Sequence, residues 1–408
     1  MVRKRLSRGD RQMQTEAVPI ASRSGAVSVA WAGLVALAVA LGIGRFAFTP
    51  VLPMMLHDRT VTLAEGGWLA SANYSGYLVG ALATVWIKAA PKVMIRGGLL
   101  LTVALTAGMG LTQNLPLWLL LRCLSGMASA WILVYASAWG LQRLAQLQRP
   151  GLSGVVFCGV GVGILVTGLL CLLLVRAGMP SSGVWMLLGG LALALSATAW
   201  NEWDGESLTP PRPIASSGQK RLRWDHSTVI LTLCYGLFGF GYIIPATFLP
   251  VIARQTVHSA LVSSLFWPLF GTAAALSTLL ASSLAQRFPD RAILAISYLL
   301  QAAGVGILAL RPTGPGIAMS ALLIGGTFMV MTMFGLREAQ RVATHQSGTL
   351  MGMMTAAFAV GQILGPAYAT LLVRLSGGFS WSLATAAVLL AVSALLLWKD
   401  KTTVTPSG

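Results

Sequence analysis

Charge is what this chain has least of. Only 10% of its 408 residues are Asp, Glu, Lys or Arg, against about 25% in a soluble globular chain. So few charges cannot coat a soluble fold of this length, which excludes soluble enzymes and nucleic-acid modules. Carboxylates are scarcest, with eleven acidic residues against 28 basic ones. Cys123, Cys158, Cys171 and Cys234 all sit in apolar runs. They form no Cys-x-x-Cys or Cys/His cluster, so neither a metal site nor a redox motif is expected. No P-loop is present, which argues against direct ATP drive. No group of nucleophile, acid and metal ligands shares one membrane depth, so the chain is not expected to be an enzyme or to hold a cofactor.

What the chain has is apolar length. Hydrophobic residues make up 56% of it, and the mean hydropathy is +0.76. A bilayer core takes about 20 apolar residues per helix. Apolar runs between charged or Pro/Gly breaks predict twelve spans, near 27–56, 66–87, 97–113, 115–141, 151–175, 183–203, 226–253, 261–284, 292–310, 314–336, 348–373 and 379–398. Spans 3 and 9 read as short, and spans 1 and 7 as long enough to tilt or kink. The runs lack period-two alternation, so strands are excluded, and backbone groups in hydrocarbon need internal partners. The fold class is therefore an all-α integral membrane protein.

The net charge of +17 is a topology signal more than a binding one. With the tail 1–26 placed inside, inside segments hold 21 Lys and Arg and outside loops hold 5. The positive-inside rule then puts both termini in the cytoplasm. Anionic lipid headgroups, not nucleic acid, are the expected partners of those charges. The first apolar run is a full span, so no cleavable leader is expected.

Residues 204–225 are hydrophilic and rich in Pro, Ser and basic side chains, and read as a cytoplasmic linker. They separate a six-helix unit at 27–203 from a second at 226–398, with a short cytoplasmic tail at 399–408. The two units resemble each other. Gly42, Gly44, Arg45, Leu52 and Pro53 in span 1 have their counterparts 197 positions on, at Gly239, Gly241, Tyr242, Leu249 and Pro250 in span 7. Gly151/Gly348 and Gly168/Gly365 keep that offset in spans 5 and 11. Parallel repeats of this kind build transporters with a midplane site between two bundles.

Twelve spans, cytoplasmic termini and a central loop resemble the major facilitator superfamily. Arg122-Cys-Leu-Ser-Gly126 resembles its span-4 motif, and Gly159-Val-Gly161-Val-Gly163 its span-5 motif, echoed by Gly361-Gln-Ile-Leu-Gly365-Pro366 in span 11. The string from Gly42 to Pro50, with Tyr242 to Pro250, is similar to the YbfB/YjiJ-type branch of bacterial members. The resemblance implies two six-helix bundles, the major facilitator fold, in the bacterial inner membrane. It also implies a cavity lined by spans 1, 4, 7 and 10, and protons as a coupling partner. The chain departs from the superfamily between spans 2 and 3, where an Asp-Arg pair is usual. Lys88, Lys92 and Arg96 keep the basic charge there and the acid is missing, whereas Asp290-Arg291 keeps the pair after span 8.

The eleven acidic residues read as lying in tails, loops or at helix ends, with Glu202 ending span 6 and Glu338 following span 10. His57, His226, His258 and His345 sit at edges too. No obvious intramembrane proton carrier is left, and Asp58 and Glu65 at the outer mouth are the remaining candidates. Two charges lie deep in the spans. Arg45 sits roughly 16 Å from the outer end of span 1, and Arg122 roughly 10 Å into span 4. Each costs about 2.5–3.5 kcal/mol at a helix centre on insertion scales. A guanidinium presents a planar donor fork that suits carboxylate or phosphate. Either the two arginines contact an anionic substrate, or they brace backbone carbonyls. Tyr242 is a wall of the site or ordinary packing, and Asn73 and Gln362 bind substrate or join helices. The aromatic stripe Trp131, Tyr135, Trp139 faces away from Arg122. The pairs Gly76/Gly80, Gly159/Gly163 and Gly361/Gly365 read as close helix packing. Gly44, Pro50, Pro53, Gly241, Pro245 and Pro250 are expected hinges, breaking spans 1 and 7 in parallel.

These features point to a secondary transporter that moves a small organic molecule, with an anionic group, by alternating access. The chain is expected to act as a monomer, without metal. Efflux of neutral or cationic compounds, and a membrane sensor that moves nothing, are the alternatives.

Overall fold

The computed structural model describes residues 20–87, 89–204, 222, 224–256, 260–343 and 346–399. Most of the N-terminal tail, the linker and the C-terminal tail lie outside this range, as do Lys88, His258 and His345. Span 1 is divided into α1 (Ile20–Leu37), a π-helical segment (Ala38–Ile43) and α2 (Phe48–His57). Spans 2 to 7 are α3 (Leu63–Trp86), α4 (Pro91–Leu111), α5 (Leu115–Gln146), α6 (Ser153–Arg176), α7 (Ser181–Thr198) and α8 (His226–Thr256). Spans 8 to 12 are α9 (Ala260–Leu284), α10 (Asp290–Leu310), α11 (Gly314–Val342), α12 (Ser347–Ser376) and α13 (Ser380–Lys399). Eleven stretches are long and apolar enough to cross a bilayer by length and composition. The twelfth, α3, carries Glu65, Ser71, Asn73 and Ser75 and is not among them; it packs against α5 and, across the bundles, against α12.

Local chemistry sets the helix ends. Thr62 caps α3, with Glu65 completing a reciprocal capping box that satisfies two otherwise orphaned donors. Asn114 and Thr313 cap α5 and α11, each followed by proline in the first turn. Gly377 ends α12 at φ 76°, a left-handed conformation that favours glycine. Several helices run further than their apolar runs. α5 continues to Gln146 past Arg143, and α11 to Val342 past Arg337, Glu338 and Arg341. Spans 3 and 9, expected to be short, are 21-residue helices, because α4 starts at Pro91, ahead of Arg96, and Asp290-Arg291 lie inside the first turn of α10. Glu338 therefore does not follow its span. It is 1% exposed inside α11, 2.6 Å from Arg291 and 3.5 Å from Arg341.

Two six-helix bundles, α1–α7 and α8–α13, meet along two seams, α3 with α12 and α6 with α9. At the α6–α9 seam a Cβ on Gly161 would lie 2.3 Å from the Ala275 nitrogen, so only glycine permits this approach. Toward the end where the basic loops lie, Ser282 donates a hydrogen bond to the Gly151 carbonyl across the seam. At the opposite end the bundles part around a cavity of about 500 Å³, lined by Pro50, Pro53, Asp58, Cys171, Leu249 and Trp267 among others. That cavity opens away from the basic loops, and a second one, of about 460 Å³, lies at the basic-loop end, lined by Leu141, Pro150, Asp290 and Arg337 among others.

The loop after α3 lacks its acid, and Arg96 uses another partner. It donates to the Trp200 carbonyl and lies 4.8 Å from that ring's centre. After α9, Asp290 pairs with Arg337 at 2.9 Å.

Candidate functional site

The site begins with the break in span 1. The amides of Gly44 and Phe46 reach five residues back, to Val39 and Leu41, each at 2.8 Å. This π register is common at functional sites and widens the helix. A turn then carries the chain into α2. The Gly44 and Arg45 carbonyls lose their usual partners in the process. Arg122 supplies new ones from α5, with Nη1 3.2 Å from the Gly44 carbonyl and Nη2 3.4 Å from that of Arg45. Ser125, one turn on, donates to the Gly44 carbonyl at 2.8 Å. Asn73 in α3 donates to the Arg122 carbonyl at 3.0 Å and ties α3 to α5.

Arg45 leaves the same turn in another direction. Its Nη2 donates to Gln362 Oε1 in α12, so the contact crosses from one bundle to the other. The guanidinium carbon lies 3.8 Å from the centre of the Tyr77 ring and 5.6 Å from that of Tyr74. Those faces suit a cation. Arg45 is 4% exposed, Arg122 3%, and Gln362 and Tyr242 0%. Among the described residues no carboxylate is paired with either arginine.

Tyr242, the repeat counterpart of Arg45, stacks on Phe328 with ring centres 5.1 Å apart and planes 10° apart. Arg45 Nη1, Gln362 Nε2 and Tyr242 Oη have no hydrogen-bond partner among the described residues. All three can donate, and the Arg45 and Tyr242 donors suit an anionic group. Phe46 lies 6.3 Å from Trp267 and 6.0 Å from Phe328, and its ring centre is 5.7 Å from the Arg45 guanidinium. Trp267 lines the open cavity, so a short aromatic path leads from that cavity to Arg45.

The structure brings Arg45 and Gln362 together, and Tyr242 joins Phe328, which packs against Phe46 beside Arg45. It turns Arg122 and Asn73 onto backbone carbonyls. Neither arginine lines the open cavity. Pro50 and Pro53 do, but the break of span 1 precedes them. The parallel break expected in span 7 is not there. α8 runs unbroken through Gly241, Pro245 and Pro250, of which only the backbone of Pro250 is described. Gly241 instead faces Leu390 of α13. The stripe on α5 is tied by Tyr135, which donates to the Ile87 carbonyl at 2.7 Å. Gly76 and Gly361 meet backbone of α5 and α8, as close packing requires. Sequence reasoning passes over Phe46, Phe328 and Trp267, which nothing distinguishes from other apolar residues. It also passes over Ser125, whose spacing of three from Arg122 is the available signal.

Asp58 and Glu65 have structural work. Asp58 lies at the cavity rim and accepts a hydrogen bond from the Ser181 amide at 2.6 Å. Burial opposes its charge, but the Ser181 hydrogen bonds and the neighbouring His57 outweigh it and hold the carboxyl below its ordinary range. Glu65 closes the capping box of α3.

No curated protein is similar to the chain in sequence. Among solved structures, the human organic anion transporter MFSD10 (TETRAN) superposes with a TM-score of 0.65 at 16% identity, over 92% of this chain and 99% of that one. That likeness is one of fold. The family described as uncharacterised MFS-type transporter YbfB matches residues 37–398. The chain thus belongs to this YbfB-type branch of the major facilitator superfamily.

Proposed function

We propose that the protein carries a small organic anion across the bacterial inner membrane by alternating access, with both termini in the cytoplasm and Arg45 as the seat of the negative charge. The observation that carries this reading is Arg45 itself. It is a buried cation on the seam between the bundles, with no carboxylate partner and a spare Nη1. A buried charge is expensive unless paired. An incoming carboxylate or sulfonate would supply the missing charge and answer the spare donors of Arg45 Nη1 and Tyr242 Oη. The structural neighbour MFSD10 is an organic anion transporter, which agrees with this substrate class.

In this reading Arg122 is a positioning residue. Its fork holds the opened turn of span 1 and so aims the Arg45 side chain at the other bundle. Access alternates as α6 and α9, and α3 and α12, part at one end and close at the other.

The test is counterflow of labelled benzenesulfonate in proteoliposomes. This aromatic anion does not cross bilayers as a neutral acid. Wild-type protein accumulates label against unlabelled internal anion. Arg45→Ala, folded and of similar melting temperature, loses at least about tenfold of that rate, the factor that one lost charge-assisted hydrogen bond implies. Undiminished counterflow in the variant removes Arg45 from the site.

A second reading rests on the open cavity. Its walls are mainly apolar, with Trp267, Phe266 and Leu249, and ionised Asp58 stands at the rim. Export of neutral or cationic amphiphiles would use that surface. Flux of such compounds unaffected by Arg45→Ala favours it.

A further inference from the structure

Arg45 reaches across the seam to an amide and not to an acid. An arginine side chain has donors only, so the Gln362 oxygen must face it. Gln362 is held in place from behind. Its neighbour Gly361 presses α12 onto α8 so closely that a Cβ there would lie 2.3 Å from the Gly236 carbonyl oxygen. The backbone that carries the amide is therefore fixed against α8, and the amide oxygen takes an Arg45 donor that a bound anion's oxygen would also use.

A carrier with a buried cation meets a problem on the leg of the cycle that it makes without substrate. When the anion has left, the guanidinium must still pass through the closed interior. Unpartnered, it would stall there, and the protein could only exchange one anion for another. A carboxylate in the protein would solve this by binding Arg45 itself, but it would then compete with every substrate. A neutral amide lies between these extremes. It accepts a charge-assisted hydrogen bond, and an anion can displace it.

We infer that Gln362 is a built-in substitute for the substrate's anionic group, which carries Arg45 through the substrate-free leg and so permits net transport instead of obligatory exchange. The rings of Tyr77 and Tyr74 share the task by facing the same cation. This inference rests on the proposed anion site at Arg45. It adds that Gln362 is a positioning residue for the return step and contributes little to the loaded step.

The test separates the two steps. Wild-type, Gln362→Ala and Gln362→Glu proteins are reconstituted in proteoliposomes with labelled benzenesulfonate inside. One flux is measured into buffer without the anion and one into buffer containing it. Gln362→Ala is expected to slow net efflux about tenfold or more, the worth of a hydrogen bond to a charged group. Exchange in the same vesicles stays within about threefold of wild type, because the anion itself then partners Arg45. Gln362→Glu folds, melts no lower than wild type, loses both fluxes, and is no longer stabilised by benzenesulfonate, since its own carboxylate fills the place.

An Ala variant that slows both fluxes equally, or neither, overturns the inference while leaving the anion site standing. A Glu variant that transports normally overturns it as well. Wild-type protein that neither moves benzenesulfonate nor is stabilised by it overturns the anion reading, and this inference falls with it.

Discussion

Spans 1 and 7 descend from the same pattern and have become different devices. Both keep the glycine pair, at Gly42/Gly44 and Gly239/Gly241, and both keep a Leu-Pro pair further on. Both use the first glycine for close packing. A Cβ on Gly42 would lie 2.5 Å from Gly163 Cα in α6, and one on Gly239 would lie 2.2 Å from the Phe358 carbonyl oxygen in α12. Beyond that point they diverge. Span 1 opens into a π segment and a turn, and α5 answers with Arg122 and Ser125. Span 7 stays a single helix, and α11 carries no charged residue from 314 to 336. Where span 1 presents Arg45, span 7 presents Tyr242 in an aromatic stack. The comparison teaches that the two copies share how their helices pack, while the buried arginine contacts gather where one copy has lost its regular hydrogen bonding. The first bundle supplies the charge. It also supplies the faces of Tyr74 and Tyr77 over that charge, and the second bundle supplies the Gln362 amide that meets it.

The shared part of this comparison is the most sensitive. Gly42→Leu and Gly239→Leu each force a side chain into neighbouring backbone, and each is expected to cost about 3 kcal/mol. Thermal unfolding in detergent checks it, and a loss at only one of them would break the equivalence of the spans. The difference comes next. Arg122→Leu leaves the Gly44 and Arg45 carbonyls with fewer donors and should cost about 2 kcal/mol. Arg122→Lys should recover part of this, because a lysine cannot span both carbonyls with one fork.

Tyr242→Phe is expected to change stability by less than about 1 kcal/mol, since the hydroxyl has no protein partner to lose. It should weaken anion binding severalfold, read by isothermal titration. The smallest effect is at Asp58, which lies outside this machinery. Its folded pKa is lowered, so its contribution is present above the usual carboxylate range and is lost as pH falls through that range. Asp58→Asn should melt slightly lower than wild type at neutral pH. The gap should close in acid, as melting curves across pH would record.

Much of this architecture can be read from residues in order. Apolar run length marks the spans, the 197-residue offset marks the repeat, and the cost of a charge in hydrocarbon singles out Arg45 and Arg122. The partner of each arginine cannot be read that way. Arg45 meets Gln362, 317 positions away, only because the two bundles close on each other. Arg122 finds two carbonyls only because the hydrogen-bond register of span 1 slips by one residue. That slip depends on how α6 and α4 press on Gly42 and Gly44, and span 7 has the same two glycines without it. The prolines of the two spans are the natural suspects for a break. Pro50 and Pro53 lie beyond the break in span 1, and Pro245 is accommodated within an unbroken helix. Glu338 reads as a loop acid because apolar length ends before it, although α11 continues and two arginines compensate it.

The central claim is that an anionic group binds Arg45, and thermal unfolding against a panel of metabolites sorted by charge tests it most directly. A ligand at 100 times its dissociation constant adds about 2.7 kcal/mol of stability. The account predicts that anions stabilise wild-type protein, and that the shift disappears in Arg45→Ala. Stabilisation by neutral or cationic compounds in both proteins, with none from anions, would contradict it.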